Sequence, residues 1–208
     1  MTKGKTDSLG MVYFSNLPTG WYRIDENVEA AYKAVWDDGT EGSSRIIRIT
    51  EEDDDKVTEV SVDNKLDINP DITTTLTDAA DSHSVNCGKS IELKDKVHFE
   101  NLTAGYEYKI RGSLVDRMSG EIFKDKDGKE YTSEVSFKAD SSLGTLSKDS
   151  RGRDMVTGDV YVKFTLDSSY LYSKAFENGA GSLAIVCVEE LYFRDILIAE
   201  HKDLDDTD

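Results

Sequence analysis

Short runs of β-branched and aromatic residues recur along most of the chain, divided by clusters of Gly, Asn, Asp and Ser. That alternation is the signature of strands and turns. Met11–Phe14 (MVYF) and Trp21–Ile24 (WYRI) flank Asn16–Gly20, a loop rich in turn formers. Ser44–Thr50 and Val57–Val62 are β-branched runs on either side of the acidic stretch Glu51–Asp55, which reads as the solvated tip of a hairpin. Residues 27–36 (NVEAAYKAVW) break the rhythm, with Val28, Ala31 and Val35 at helical spacing. They suggest a short helix or an irregular crossover.

Asp63–Asp71 marks a change. One of the two prolines, Pro70, lies there among polar residues, as expected of a domain boundary. Beyond it come strand candidates at Thr73–Thr77, Lys96–Phe99, Tyr106–Val115, Tyr131–Phe137, Asp159–Leu166, Ser182–Glu189 and Ile196–His201. An Asp-Gly turn within Lys124–Lys129 is expected to join Glu121–Phe123 to Tyr131–Phe137 as a hairpin. Many short strands with hardly any helix argue for an all-β protein of two tandem sandwich or Ig-like domains, 1–68 and 69–208.

Composition narrows the function without naming it. The chain has 208 residues, 42 of them acidic against 25 basic, for a formal net charge of -17. A nucleic-acid binder needs surplus Lys and Arg to displace counterions, so that class is disfavoured, as is an anionic membrane surface. No apolar run is long enough to span a bilayer, and the opening MTKGKTDSLGM lacks the apolar core of a signal peptide.

Familiar chemistries are missing too. There is no GxGxxG, P-loop or GxSxG pattern, and His83, His98 and His201 lack metal-ligand spacing. No cofactor or metal is therefore expected. Cys87 and Cys187 form no CxxC pair; they read as buried or idle thiols, with a single bridge left open. Ser150–Asp154 (SRGRD) and the acidic Asp203–Asp208 read as a plain loop and a solvated tail.

Two stretches are more specific. Gly10–Glu26 (GMVYFSNLPTGWYRIDE), with Val60–Lys65 (VSVDNK) at its far end, resembles the C-terminal half of a CnaB (SpaA-type) prealbumin-like domain of Gram-positive pilins and adhesins. In that family a first-strand Lys condenses with a last-strand Asn, assisted by a Glu. The resemblance implies Asn64 as acceptor and Glu26 as assisting acid. The half carrying the reactive Lys has no counterpart here, so the first domain is expected to be incomplete and no isopeptide is expected.

The second stretch is carried by Ile72–Asp78 (ITTTLTD), Leu93–Leu102 (LKDKVHFENL), Gly105–Leu114 (GYEYKIRGSL), Val186–Leu191 (VCVEEL) and His201–Asp208 (HKDLDDTD). In that order these segments resemble the T-Q ester-bond (VaFE-type) domain of Gram-positive surface proteins. There a first-strand Thr and a last-strand Gln join through an intramolecular ester. The resemblance implies Thr74 as nucleophile, Asp95 and Glu189 as paired acids and His201 as base, with the Gln falling just past Asp208.

The chemistry is coherent. A Thr hydroxyl needs an adjacent base, and a carboxamide needs its carbonyl polarised as charge builds on oxygen. Two carboxyls held together cannot both ionise cheaply, so one keeps a proton to donate. Thr74 would be consumed, making this a single-turnover self-modification and no enzyme activity. The resemblance implies a stalk segment of a cell-wall-anchored extracellular adhesin or pilin, its partners being neighbouring domains of the same protein. Without the closing Gln strand a sheet edge is expected to stand unpaired. The chain would then be half of a split pair, able to accept a Gln-bearing strand in trans. The competing reading is an adhesion module for a host protein or glycan.

Overall fold

The computed structural model describes the chain except residues 1, 54–55, 85–89, 178, 180–181 and 206–208. Cys87 thus lies outside the described residues, while Cys187 carries a free, buried thiol. The chain divides into two compact units, Met1–Asp67 and Ile68–Asp208.

The first unit holds two antiparallel pairs. Strand β1 (Gly20–Asp25) pairs with β3 (Ser44–Ile49), and β2 (Tyr32–Trp36) pairs with β4 (Val62–Leu66). Three expectations are corrected here. The candidate helix at 27–36 becomes a strand from Tyr32: a helix this short is marginal alone, and pairing with β4 buries Ala34 and Trp36. Met11–Phe14 is not a strand; its side chains are exposed, and Met11 is held in a turn, its carbonyl accepting from the Asp7 amide at 2.8 Å. The acidic run is not a hairpin tip, because β3 and β4 belong to different sheets. It enters a 3-10 turn at Glu51–Asp53, where Asp53 Oδ2 accepts from the Thr50 amide and hydroxyl, both at 2.7 Å.

The second unit contains two four-stranded antiparallel sheets. One runs β5–β6–β10–β9, from Asp71–Asp78, Ile91–Thr103, Asp154–Leu166 and Gly144–Lys148. The other runs β12–β11–β7–β8, from Ile196–His201, Ile185–Phe193, Glu107–Asp116 and Thr132–Lys138. The inner faces follow the period of two expected of half-buried strands. Leu93, Val97 and Phe99 of β6 and Val160, Val162 and Phe164 of β10 meet Tyr108, Ile110 and Leu114 of β7 and Leu191 and Phe193 of β11. Across the gap, Phe99 stacks on Phe137 with ring centroids 5.3 Å apart. The sheets are all antiparallel and the fold is all-β.

Two elements escaped the pattern. Every residue of β9 is exposed, so no hydrophobic alternation marks it. Helix α1 (Ser168–Glu177) starts at Asp167, whose Oδ1 accepts from the Tyr170 amide as an N-cap. The expected hairpin forms in its first part only: the Tyr131 amide donates to the Phe123 carbonyl at 2.9 Å and Lys124 bridges Glu130, but Ile122 bridges Val115 and β8 pairs with β7. The Asp-Gly turn is present, closed by Gly128 N–H on Asp125 O at 3.0 Å. Ser150–Asp154 closes the β9–β10 turn, with Arg153 Nε 2.6 Å from Asp149 Oδ2. Among the described residues, no helix is long and apolar enough to cross a membrane.

Candidate functional site

Strand periodicity decides which threonine of the triplet faces inward. Ile72 is buried on the inner face, so Thr74 and Leu76 share that face, while Thr73 and Thr75 point outward. One strand inward, the Leu93–Phe99 alternation carries Asp95 onto the same face, opposite Leu76 on β5 and Val162 on β10. The facing sheet supplies the other two groups. Glu189 of β11 lies directly across from His201 of β12. Arg194 and Asp195, both at positive φ, close the tight hairpin between these strands, and a bulge between Leu191 and Tyr192 shifts the register by one residue so that His201 falls opposite Glu189.

The four expected residues come together. β5 and β12, end strands of the two sheets, lie against each other. Thr74 Oγ1 is 3.4 Å from His201 Nδ1, and the same nitrogen is 3.5 Å from Glu189 Oε2. Asp95 and Glu189 are both wholly buried. Burial first, and the Asp95 carboxyl second, push Glu189 up to about 9. A carboxylic acid that keeps its proton at neutral pH can donate to a developing oxyanion.

Two further residues belong to this site and were not singled out from the sequence. Cys187 sits two positions before Glu189 on the same face, and its thiol is pushed well above its ordinary value by burial and then by Glu189 and Asp95. Gly112 lies opposite Glu189 on β7. A Cβ there would come within 2.9 Å of Phe164, 3.1 Å of Val162 and 3.2 Å of Cys187 Sγ. The spacing Cys-x-Glu on an inward-facing strand was the available signal for Cys187. Gly112 offered none, because the crowding comes from distant strands. Asp95, Cys187 and Glu189 also place donor atoms within 4.8 Å of one another, close enough to share a cation. Burial that favours the protonated acid and thiol opposes that use.

The remaining candidates lie elsewhere. In the first unit Asn64 Nδ2 donates to Glu26 Oε1 at 2.9 Å, so these two meet, but the residue across from Asn64 is Ala34. Lys33, the neighbouring cation on β2, reaches Glu41 at 2.7 Å. His98 pairs with Asp159 at 2.8 Å on the outer face of its sheet, away from the buried acids.

In this antiparallel sandwich a hydroxyl, an imidazole and two buried carboxyls meet where the end strands of the two sheets lie together. Residues 70–208 match the family described as "T-Q ester bond containing domain", and the chain belongs to that family. Domains of this family form autocatalytic intramolecular cross-links. No curated protein matches the chain. Among solved structures it resembles a bacterial adhesin from Mobiluncus mulieris containing intramolecular disulfide, isopeptide and ester bond cross-links. That likeness has a TM-score of 0.51 at 15% identity over 67% of this chain, which shows the fold alone. A second crystal form of the same adhesin gives a TM-score of 0.49 at 14% identity. The chain spans 55% of the length of that adhesin.

Proposed function

We propose that Thr74, Asp95, Glu189 and His201 form a self-acting ester site, and that its acyl donor is a Gln side chain on a strand following Asp208. The sequence itself contains no Gln. The observation that supports this reading most directly is the contact chain from Thr74 Oγ1 through His201 Nδ1 to Glu189. His201 takes the hydroxyl proton as Thr74 Oγ1 attacks the carboxamide carbon. The Asp95–Glu189 pair, holding a proton, donates to the oxygen on which charge accumulates. Collapse breaks the carbon–nitrogen bond; the nitrogen takes the proton back from His201 and leaves as ammonia. One Thr–Gln ester and one ammonia result, and the site is spent.

A Gln-bearing strand laid beside the contact of β5 and β12 would be bolted to β5, the first strand of the unit. A covalent tie of this kind removes the freedom of an edge strand to peel away under load or to a protease. We therefore read the chain as a structural segment of a cell-surface adhesin or pilin, in series with neighbouring domains of the same protein and anchored to the cell wall. Glu26 and Asn64 in the first unit are the corresponding remnant of a CnaB-type isopeptide site.

Intact mass tests the reading. The chain is mixed with a synthetic peptide carrying a Gln-bearing β-strand. An adduct of the summed masses less one ammonia is expected from the wild type and none from Thr74→Ala. Equal behaviour of the two overturns the assignment.

A further inference from the structure

The Glu189 side chain is wholly buried, and among the described residues neither of its carboxyl oxygens has a hydrogen-bond partner. A buried carboxyl left in that state is costly, and native folds seldom keep one without a reason. Other donor atoms surround it. A carboxyl oxygen of Glu189, one of Asp95 and the Sγ of Cys187 all lie within 4.8 Å of one another, and all three residues are buried. His201 Nδ1 stands 3.5 Å from Glu189 Oε2 and adds a fourth donor from β12. The His201 side chain keeps 19% of its surface exposed, so solvent reaches the edge of the cluster there.

We propose that Asp95, Cys187, Glu189 and His201 form a binding site for one zinc-type divalent cation, and that the bound ion blocks ester formation. Two carboxylates, a thiolate and an imidazole make a four-donor set suited to tetrahedral Zn2+. Calcium and magnesium prefer six or more oxygen ligands, and a set with two carboxyl groups and a sulfur suits neither. Protons on the acid and the thiol compete for the same donors, so the ion enters by displacing them to solvent. Once bound, it takes the proton donor away from the developing oxyanion and occupies the His201 nitrogen that faces Thr74. The hydroxyl then has no base. The binding stands on the geometry of the cluster, while the block rests on the ester reading above.

The test uses the full chain carrying Cys87→Ser, which leaves Cys187 as its only thiol, with Co2+ as the optical probe of a zinc site. A chain of net charge -17 holds divalent cations loosely over its surface, and a thiolate-to-cobalt charge-transfer band in the near ultraviolet reports this cluster alone. The band is expected to saturate at one equivalent and to vanish when Zn2+ displaces the probe. Glu189→Gln and His201→Ala, shown by thermal melts to fold, are each expected to need at least about tenfold more Co2+. No band at millimolar Co2+, or wild-type affinity in both variants, overturns the site. Saturating Zn2+ is expected to stop adduct formation with the Gln-bearing peptide, and a chelator to restore it. Adduct formation at the metal-free rate overturns the block. A chain that forms no adduct even without metal removes the ester reading, and the cobalt band then decides the cation site by itself.

Discussion

Thr74 and His201 stand 127 positions apart in the chain, yet Oγ1 and Nδ1 approach to 3.4 Å where the end strands of two sheets meet. A hydroxyl that close to an imidazole nitrogen is positioned for proton transfer, with the contact free to tighten when the acyl partner arrives. Thr74→Ser should retain adduct formation with a Gln-bearing strand, since the nucleophile and its geometry persist. His201→Ala should slow it by about 10²–10⁴-fold, the usual worth of a general base. Time-resolved intact mass checks both. A His201→Ala variant that reacts at the wild-type rate would remove the base assignment.

Gly112 gives a prediction on packing. A methyl group there meets Phe164, Val162 and Cys187 at once, and all three belong to the core around the acid pair. Overpacking of this kind costs about 1–3 kcal/mol. In a unit of this size that lowers the melting temperature by about 3 °C per kcal/mol. Gly112→Ala should show that drop by calorimetry and should also slow adduct formation, because Glu189 lies directly across from it. A stable variant with unaltered rate would show that the crowding relaxes without disturbing the acids.

Tyr108 tests the core away from the chemistry. Its hydroxyl donates to the Thr103 carbonyl at 3.1 Å inside the sandwich, and burial pushes the phenol up to about 12. Tyr108→Phe removes one buried hydrogen bond, costing about 1 kcal/mol in chemical denaturation. Cross-linking should be unchanged. Because the folded phenol ionises later than the unfolded one, stability in the wild type falls as pH rises between 10 and 12. The variant should lose that part of the alkaline decline.

Much of this was legible in the residues, for reasons that can be named. Strands β5 to β8 and β10 to β12 follow runs of β-branched and aromatic residues whose inward positions bury. The order of Thr74, Asp95, Glu189 and His201 along the resembling segments survived into space because a period of two carries each to the inner face. The misses share a cause as well. β2 looked helical because a local pattern cannot register a partner, β4, some thirty residues away. β9 is a fully exposed strand with no apolar face to betray it. The separation of β3 from β4 into different sheets is decided by pairing, which a linear reading of a hydrophilic turn does not contain.

The acid pair makes the strongest prediction, because it ties stability and reactivity to one proton. Glu189 in the folded unit holds its proton up to about pH 9, against an ordinary value of 4.5. Burial and the neighbouring Asp95 carboxyl both oppose ionisation, in that order. Between those pH values the folded state therefore binds a proton that the unfolded chain has released. The stabilising contribution is fully present below about pH 4.5 and declines as pH rises toward 9, at up to about 1.4 kcal/mol per pH unit for one proton. Glu189→Gln, neutral at every pH, should flatten the decline and raise the melting temperature of the second unit at pH 8 relative to wild type. The same substitution keeps a polar group beside Thr74 but no longer supplies an acidic proton, so adduct formation should fall even as stability improves. In the wild type, adduct formation should fade as pH climbs past about 9, where the pair loses the proton it donates. A stability curve for the second unit that rises from pH 5 to 8 would mean that Glu189 is ionised in the fold, and the paired-acid mechanism would lose its donor.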